Sequence, residues 1–147
     1  LIKKSLVAKA ISLDLPSDKN EAIKVAIKAL TKNLSLEEDE VFEAVMAREK
    51  ALSTAIGLGV AIPHAKIKSL KKFAYSIFCS EDPINFQAPD KTPVRIIVLL
   101  LSPENKMKEH VTLLAEISRR LKFSHVRQAI LEAKTPKKVA EAFLQAK

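Results

Sequence analysis

The chain contains no tryptophan, one tyrosine, one cysteine and only two glycines in 147 residues. Each scarcity excludes something. A lone cysteine, Cys79, has no partner for an internal disulfide, which suits a reducing cytoplasm and excludes a disulfide framework. The two glycines stand in Gly57-Leu58-Gly59, which has neither the third glycine of a dinucleotide fingerprint nor the Gly-Lys-Ser/Thr ending of a phosphate-binding loop. The longest apolar run, Ile96 to Leu101, is far short of the ~20 residues a membrane span requires, so no membrane insertion is expected. Leu1 to Ala10 carries three lysines and no apolar core long enough for a signal peptide. Aromatics make up 5% of the chain. A nucleic-acid interface needs basic residues gathered on one face with aromatics between them. Here the basic residues are scattered, so the formal charge of +8 reads as a lysine-rich solvated surface. A basic nucleic-acid-binding domain is only a remote alternative.

What remains is an ordinary globular composition, 48% hydrophobic and 29% charged. The length fits one domain over residues 1–147, by the prior of ~100–200 residues each. The chain opens on Leu1 rather than methionine, which admits excision from a longer protein. No internal repeat or low-complexity segment is visible.

Ala10 to Leu15 alternates as a half-buried strand, stopped by Pro16. Asp18 and Glu21 have capping-box spacing before a helix with Ile23, Ala26, Ile27 and Leu30 on one face. Asn33 is read as its end. Ser35 and Glu38 repeat the capping signal before a second helix running to about Ala51. Lys66 to Lys72 reads as a basic connector. Phe73 to Ser80 is apolar on both alternating sets, and Cys79 there reads as an inert core thiol. Pro83 to Pro93 reads as an irregular loop. Val94 to Leu101 predicts a central strand covered on both faces. Ser102-Pro103 closes it. A helix to Lys122 follows, with Met107, His110, Leu114, Ile117 and Leu121 on one face. A further helix is read over about His125 to Ala133 with Ser124 as its N-cap, and Thr135 caps a last one with Pro136 at its first position. This order predicts a layered α/β domain.

The most informative stretch runs from Arg48 to His64. It holds both glycines, which points to positive φ or to close approach of the backbone to another group. Val60, Ala61 and Ile62 read as a short buried strand, Pro63 ends its pairing, and His64 stands at its end. Strand ends on a rigid scaffold commonly display reactive side chains. Val41, Val45, Arg48 and Leu52 share one helical stripe, so Arg48 borders a buried face and needs an anion. A neighbouring carboxylate such as Glu49, or a snorkelling side chain, would also satisfy it. His64 itself could be a satisfied structural histidine. A zinc site built from His64, His110 and Cys79 lacks metal-ligand spacing. His125 has no motif around it and reads as surface.

Arg48-Glu49, Ser53-Thr54, Gly57, Gly59, the apolar triplet and Pro63-His64 together resemble a known pattern. It is that of the EIIA component of the bacterial phosphoenolpyruvate-dependent sugar phosphotransferase system, of the fructose, mannitol and nitrogen-regulatory type. The pattern is long, and the likeness extends over nearly the whole chain. The resemblance implies an α/β fold, a mixed central β-sheet with helices on both faces. It implies that His64 accepts a phosphoryl group from a phosphocarrier histidine protein. His110, in Glu-His-Val-Thr-Leu-Leu-Ala, matches a second family histidine and would hydrogen-bond at the site. Arg48 would offset phosphate charge. Ser53, Thr54, Gly57 and Gly59 would orient the ring or the phosphate. No cofactor or metal is implied. Onward partners would be a sugar-transporter EIIB subunit or regulatory target proteins, in the cytoplasm. The alternative is a non-catalytic regulatory binding module of the same fold.

Overall fold

The computed structural model describes residues 6–12, 15–32 and 34–145. The strands are β1 (Leu6–Ser12), β2 (Ala55–Gly57), β3 (Val60–Ala61), β4 (His64–Ile67), β5 (Ala74–Ile84) and β6 (Val94–Pro103). The helices are α1 (Lys19–Thr31), α2 (Glu38–Ala51), α3 (Met107–Leu121), α4 (Ser124–Glu132) and α5 (Pro136–Leu144).

The sheet is mixed, in the order β1-β5-β6-β3-β2, with β4 also pairing β6. β5 and β6 are antiparallel, while β1 runs parallel to β5, and β3 and β4 run parallel to β6. The apolar run of β6 is interior because both its faces are covered. Ile97, Leu99 and Leu101 enter one core with Ile23, Ile27 and Leu30 of α1 and Val41 and Val45 of α2. Ile96, Val98 and Leu100 enter a second core with Leu113, Ile117 and Leu121 of α3 and residues of α4 and α5. The same alternation divides β5, with Ala74 and Phe78 facing the first core and Tyr75, Ile77 and Cys79 the second. This is the expected three-layer arrangement. Leu99 is fully buried in the first core. Leu99→Ala should therefore cost roughly 2–5 kcal/mol. Urea titration checks this: the midpoint should fall with the slope unchanged.

Several local readings need correction. The first strand ends at Ser12; Leu13 and Asp14 lie outside the described residues, and Leu15 is buried but not in a strand. Asp18 does cap α1, its carboxylate accepting from the Glu21 amide at 3.0 Å. Asn33 lies outside the described residues. The Ser35–Glu38 box does not form: Glu37 is the N-cap of α2 and makes no side-chain cap bond. Three acidic residues in the first turn, Glu38, Asp39 and Glu40, suit the positive helix end instead. Leu52 follows the helix in extended backbone, which carries it off the stripe and leaves it 72% exposed. β5 continues past Ser80 through Pro83 to Ile84, with a register shift after Cys79. Exposed Pro83 is tolerated within that irregularity because no regular ladder bond is demanded of it there. Lys66 belongs to β4 rather than to a connector. Phe123, not Ser124, is the N-cap of α4, whereas Thr135 caps α5 and Pro136 opens it as predicted. Met107 is half exposed, and Leu113 takes the buried position beside His110.

Candidate functional site

β3 and β4 both pair with β6, and the interruption between them is Ile62-Pro63. His64 therefore opens a strand instead of ending one. Pro63 has no N–H to give, but its carbonyl still accepts from the Leu100 amide at 3.0 Å, which keeps β4 in line. The break turns the Ile62 carbonyl toward the His64 ring, where it lies 2.7 Å from Nδ1. A carbonyl only accepts, so in the neutral ring Nδ1 carries the proton and Nε2 keeps its lone pair.

Three segments meet here. Arg48 on α2, His64 and Lys66 on β4, and Met107 and His110 on α3 line one cleft of about 410 Å³. His64 and Lys66 share a face because side chains two apart on a strand do. His110 is buried, with Nδ1 at 2.6 Å from the Ser102 hydroxyl on β6. Its ring lies 5.3 Å from that of His64, centroid to centroid. Arg48 gives one N–H to the Leu52 carbonyl at 2.6 Å and, among the described residues, forms no ion pair. Lys66 Nζ is 3.6 Å from the Met107 sulfur, a weak acceptor.

Burial holds the His64 ring below its ordinary pKa; the Ile62 carbonyl and the Glu49 charge oppose this, and the Arg48 and Lys66 charges add to it. His110 is lowered to about 4, first by burial and then by His64 and Lys66. A neutral His64 with a free Nε2 is a nucleophile, and the cations beside it suit an anionic group.

Other expected site residues lie elsewhere. The Ser53 hydroxyl donates to the Phe86 carbonyl at 2.6 Å and accepts from the Ala55 amide at 3.2 Å. The Thr54 hydroxyl donates to Glu49 at 2.6 Å. These partners occupy both hydroxyls, and neither residue lines the cleft. Gly57, Leu58 and Gly59 all have positive φ and form the β2–β3 turn. The turn wraps Asp90, whose carboxylate accepts from the Leu58 amide at 2.9 Å. A Cβ on Gly57 would stand 3.0 Å from that carboxylate. The glycines thus serve a turn, with Gly57 closely approaching the Asp90 carboxylate and Gly59 the Pro93 carbonyl. Cys79 is buried in the second core, where burial pushes its thiol up to about 11. His125 is exposed against Phe123, with ring centroids 5.6 Å apart. Among the described residues no three His, Cys, Asp or Glu side chains are grouped to hold a metal. No helix among them is long and apolar enough to cross a membrane.

Sequence reasoning missed Ser102, Lys66 and the placement of Glu49. Ser102 was legible only as a strand stop, and Lys66 only as one lysine among many. Glu49 was visible in the Arg-Glu pair, but helical periodicity singled out Arg48 alone.

A histidine with Nε2 free, a second histidine and two cations thus share one cleft on a mixed three-layer sheet. The chain belongs to the EIIA type 2 family of the phosphoenolpyruvate-dependent sugar phosphotransferase system, whose signature matches residues 4–146. The nitrogen regulatory protein of Escherichia coli K12 is 39% identical over 104 residues, covering 70% of this chain and 64% of that protein. The match thus spans less than two thirds of that relative's length. A fructose-specific EIIA component from Haloferax volcanii is 30% identical over 107 residues, 73% of this chain and 70% of that one. The crystal structure of the nitrogen regulatory protein IIA-Ntr from Neisseria meningitidis superposes with a TM-score of 0.89 at 31% identity, covering 97% of this chain and 98% of that one.

Proposed function

We propose that His64 accepts a phosphoryl group on Nε2 from a phosphocarrier histidine protein. The observation that carries this is the Nδ1 contact with the Ile62 carbonyl, which leaves Nε2 as the free nucleophile in a cleft with Arg48, Lys66 and His110. The Nε2 lone pair attacks phosphorus, the donor's N–P bond breaks, and its electron pair returns to the donor imidazole. Nδ1 keeps its proton, so the phosphorylated ring is an imidazolium whose N–H points at a carbonyl. That form is a good leaving group for onward transfer. The transferred group carries roughly −1.5 to −2 charges, by analogy with phosphorylated hydroxyl side chains. Arg48 and Lys66 offset that charge. The α3 start adds to them, since its N-cap, Lys106, makes no side-chain cap bond. His110, neutral and held by Ser102, orients the group by hydrogen bonding.

We favour a nitrogen-regulatory role, in which the phosphorylated and free forms contact regulatory target proteins. The higher identity to nitrogen regulatory proteins than to the fructose component supports it. The second reading is relay to a sugar-transporter EIIB subunit, which family membership supports. Either role is proposed for one domain acting in the cytoplasm. The test is incubation with phosphoenolpyruvate, its donor enzyme and a phosphocarrier protein, followed by intact mass. One phosphoryl group should be gained, labile in acid and stable in base. An unchanged mass, with the phosphocarrier itself fully charged, overturns the reading.

A further inference from the structure

Glu49 is a buried carboxylate that phosphoryl transfer as described above does not use. Its side chain is 1% exposed and forms an ion pair with Lys19 of α1 at 2.9 Å. Its two oxygens also take both donors of Thr54, the amide at 3.0 Å and the hydroxyl at 2.6 Å. Burying a carboxylate is costly unless it is paired and hydrogen-bonded, and these three contacts engage both of its oxygens.

The chain of contacts continues to the site. The Thr54 carbonyl accepts from the Ile62 amide at 3.1 Å. The Ile62 carbonyl then accepts from His64 Nδ1 at 2.7 Å. The Ile62 peptide units lie at the break between β3 and β4, where β6 gives them no ladder. Thr54 takes the place of that ladder, and Glu49 fixes Thr54. Adjacent residues of α2 thus divide the work: Arg48 faces the cleft while Glu49 secures the backbone that aims the ring.

We propose that Glu49, with Lys19 as its counter-ion, is the positioning residue for His64, holding through Thr54 and Ile62 the carbonyl that leaves Nε2 free. Its meaning for transfer rests on His64 being the phosphoryl acceptor, but its physical content does not. The charged or titratable groups around His64 are Arg48 and Glu49 on α2, Lys66 on β4 and His110 on α3. Of these, Glu49 is the anion.

The test uses the unphosphorylated full chain, so failure of phosphoryl transfer cannot mask it. Imidazole ¹⁵N NMR reads the His64 tautomer and titration midpoint, with exposed His125 as an internal control. Glu49→Gln should populate the second tautomer and move the His64 midpoint down, away from the ordinary ~6.5. Lys19→Met removes the cation and keeps the carboxylate, so it should move the midpoint up. A merely structural loosening would raise both, because it would relieve burial. If Glu49→Gln does not fold, Lys19→Met decides by tautomer and midpoint together: a raised midpoint with Nδ1 still carrying the proton supports the proposal, and a raised midpoint with mixed tautomers is structural loosening and overturns it. In transfer assays, Glu49→Gln should lower kcat about 10–100-fold, the range for losing a partner that orients a functional side chain. KM for the phosphocarrier should hold, because Glu49 does not line the cleft. An unchanged tautomer and midpoint in folded Glu49→Gln, or an unmoved or lowered midpoint in Lys19→Met, overturns the proposal.

Discussion

His64→Ala is expected to abolish phosphoryl uptake while leaving the protein folded. The ring is only partly buried, and it packs at the cleft rather than in either core. Its loss removes a nucleophile that nothing nearby replaces. His110 is the nearest candidate, but one of its nitrogens is held by Ser102 and its side chain is buried. Intact mass after incubation with the charged phosphocarrier reads the result. A phosphoryl group still gained by His64→Ala would move the acceptor elsewhere. In the wild type, the rate should fall with acid as the ring protonates. Burial holds the ring below its ordinary value, so the inflection should lie under ~6.5. An inflection above that value would mean a ring stabilised as its cation, contrary to this environment.

The second large effect belongs to Arg48. Its guanidinium lines the cleft, and among the described residues no carboxylate pairs with it. It is therefore available to the anion formed in transfer. Arg48→Ala should slow transfer by roughly 10²–10³-fold, the usual result of losing one preorganised donor. Arg48→Lys should recover only part of this, because an ammonium lacks the planar fork. Stability should change little, since the side chain is partly exposed and is held by one bond to the Leu52 carbonyl. Rapid-quench kinetics against the charged phosphocarrier check this, with urea titration alongside. Rates equal to wild type would place Arg48 outside the transfer step.

Much of this arrangement could be read from the residues. The β6 run was legible because unbroken apolar sequence has no place except between two covering layers. His64 stood out in the sequence because both glycines and a proline cluster just before it. What those glycines do was only half legible. Positive φ is a local property, but the Asp90 carboxylate that crowds Gly57 is distant in sequence and left no periodic signal. The partners of Ser53 and Thr54 were hidden for the same reason. A hydroxyl near a histidine in sequence can point to either side of a strand, and these two point to Phe86 and Glu49. The expected Ser35 cap failed because acidic residues already suited the start of α2. Pairing of a buried carboxylate with a lysine thirty residues upstream is a tertiary fact that no spacing rule contains.

The most direct test of the central claim is to locate the phosphoryl group atom by atom. Chain labelled with ¹⁵N in histidine, phosphorylated by its phosphocarrier, is read by imidazole ¹⁵N NMR for phosphorus coupling. The geometry predicts a single coupled nitrogen, Nε2 of His64, with Nδ1 still protonated against the Ile62 carbonyl. Coupling at Nδ1 of His64, or at either nitrogen of His110, would contradict it.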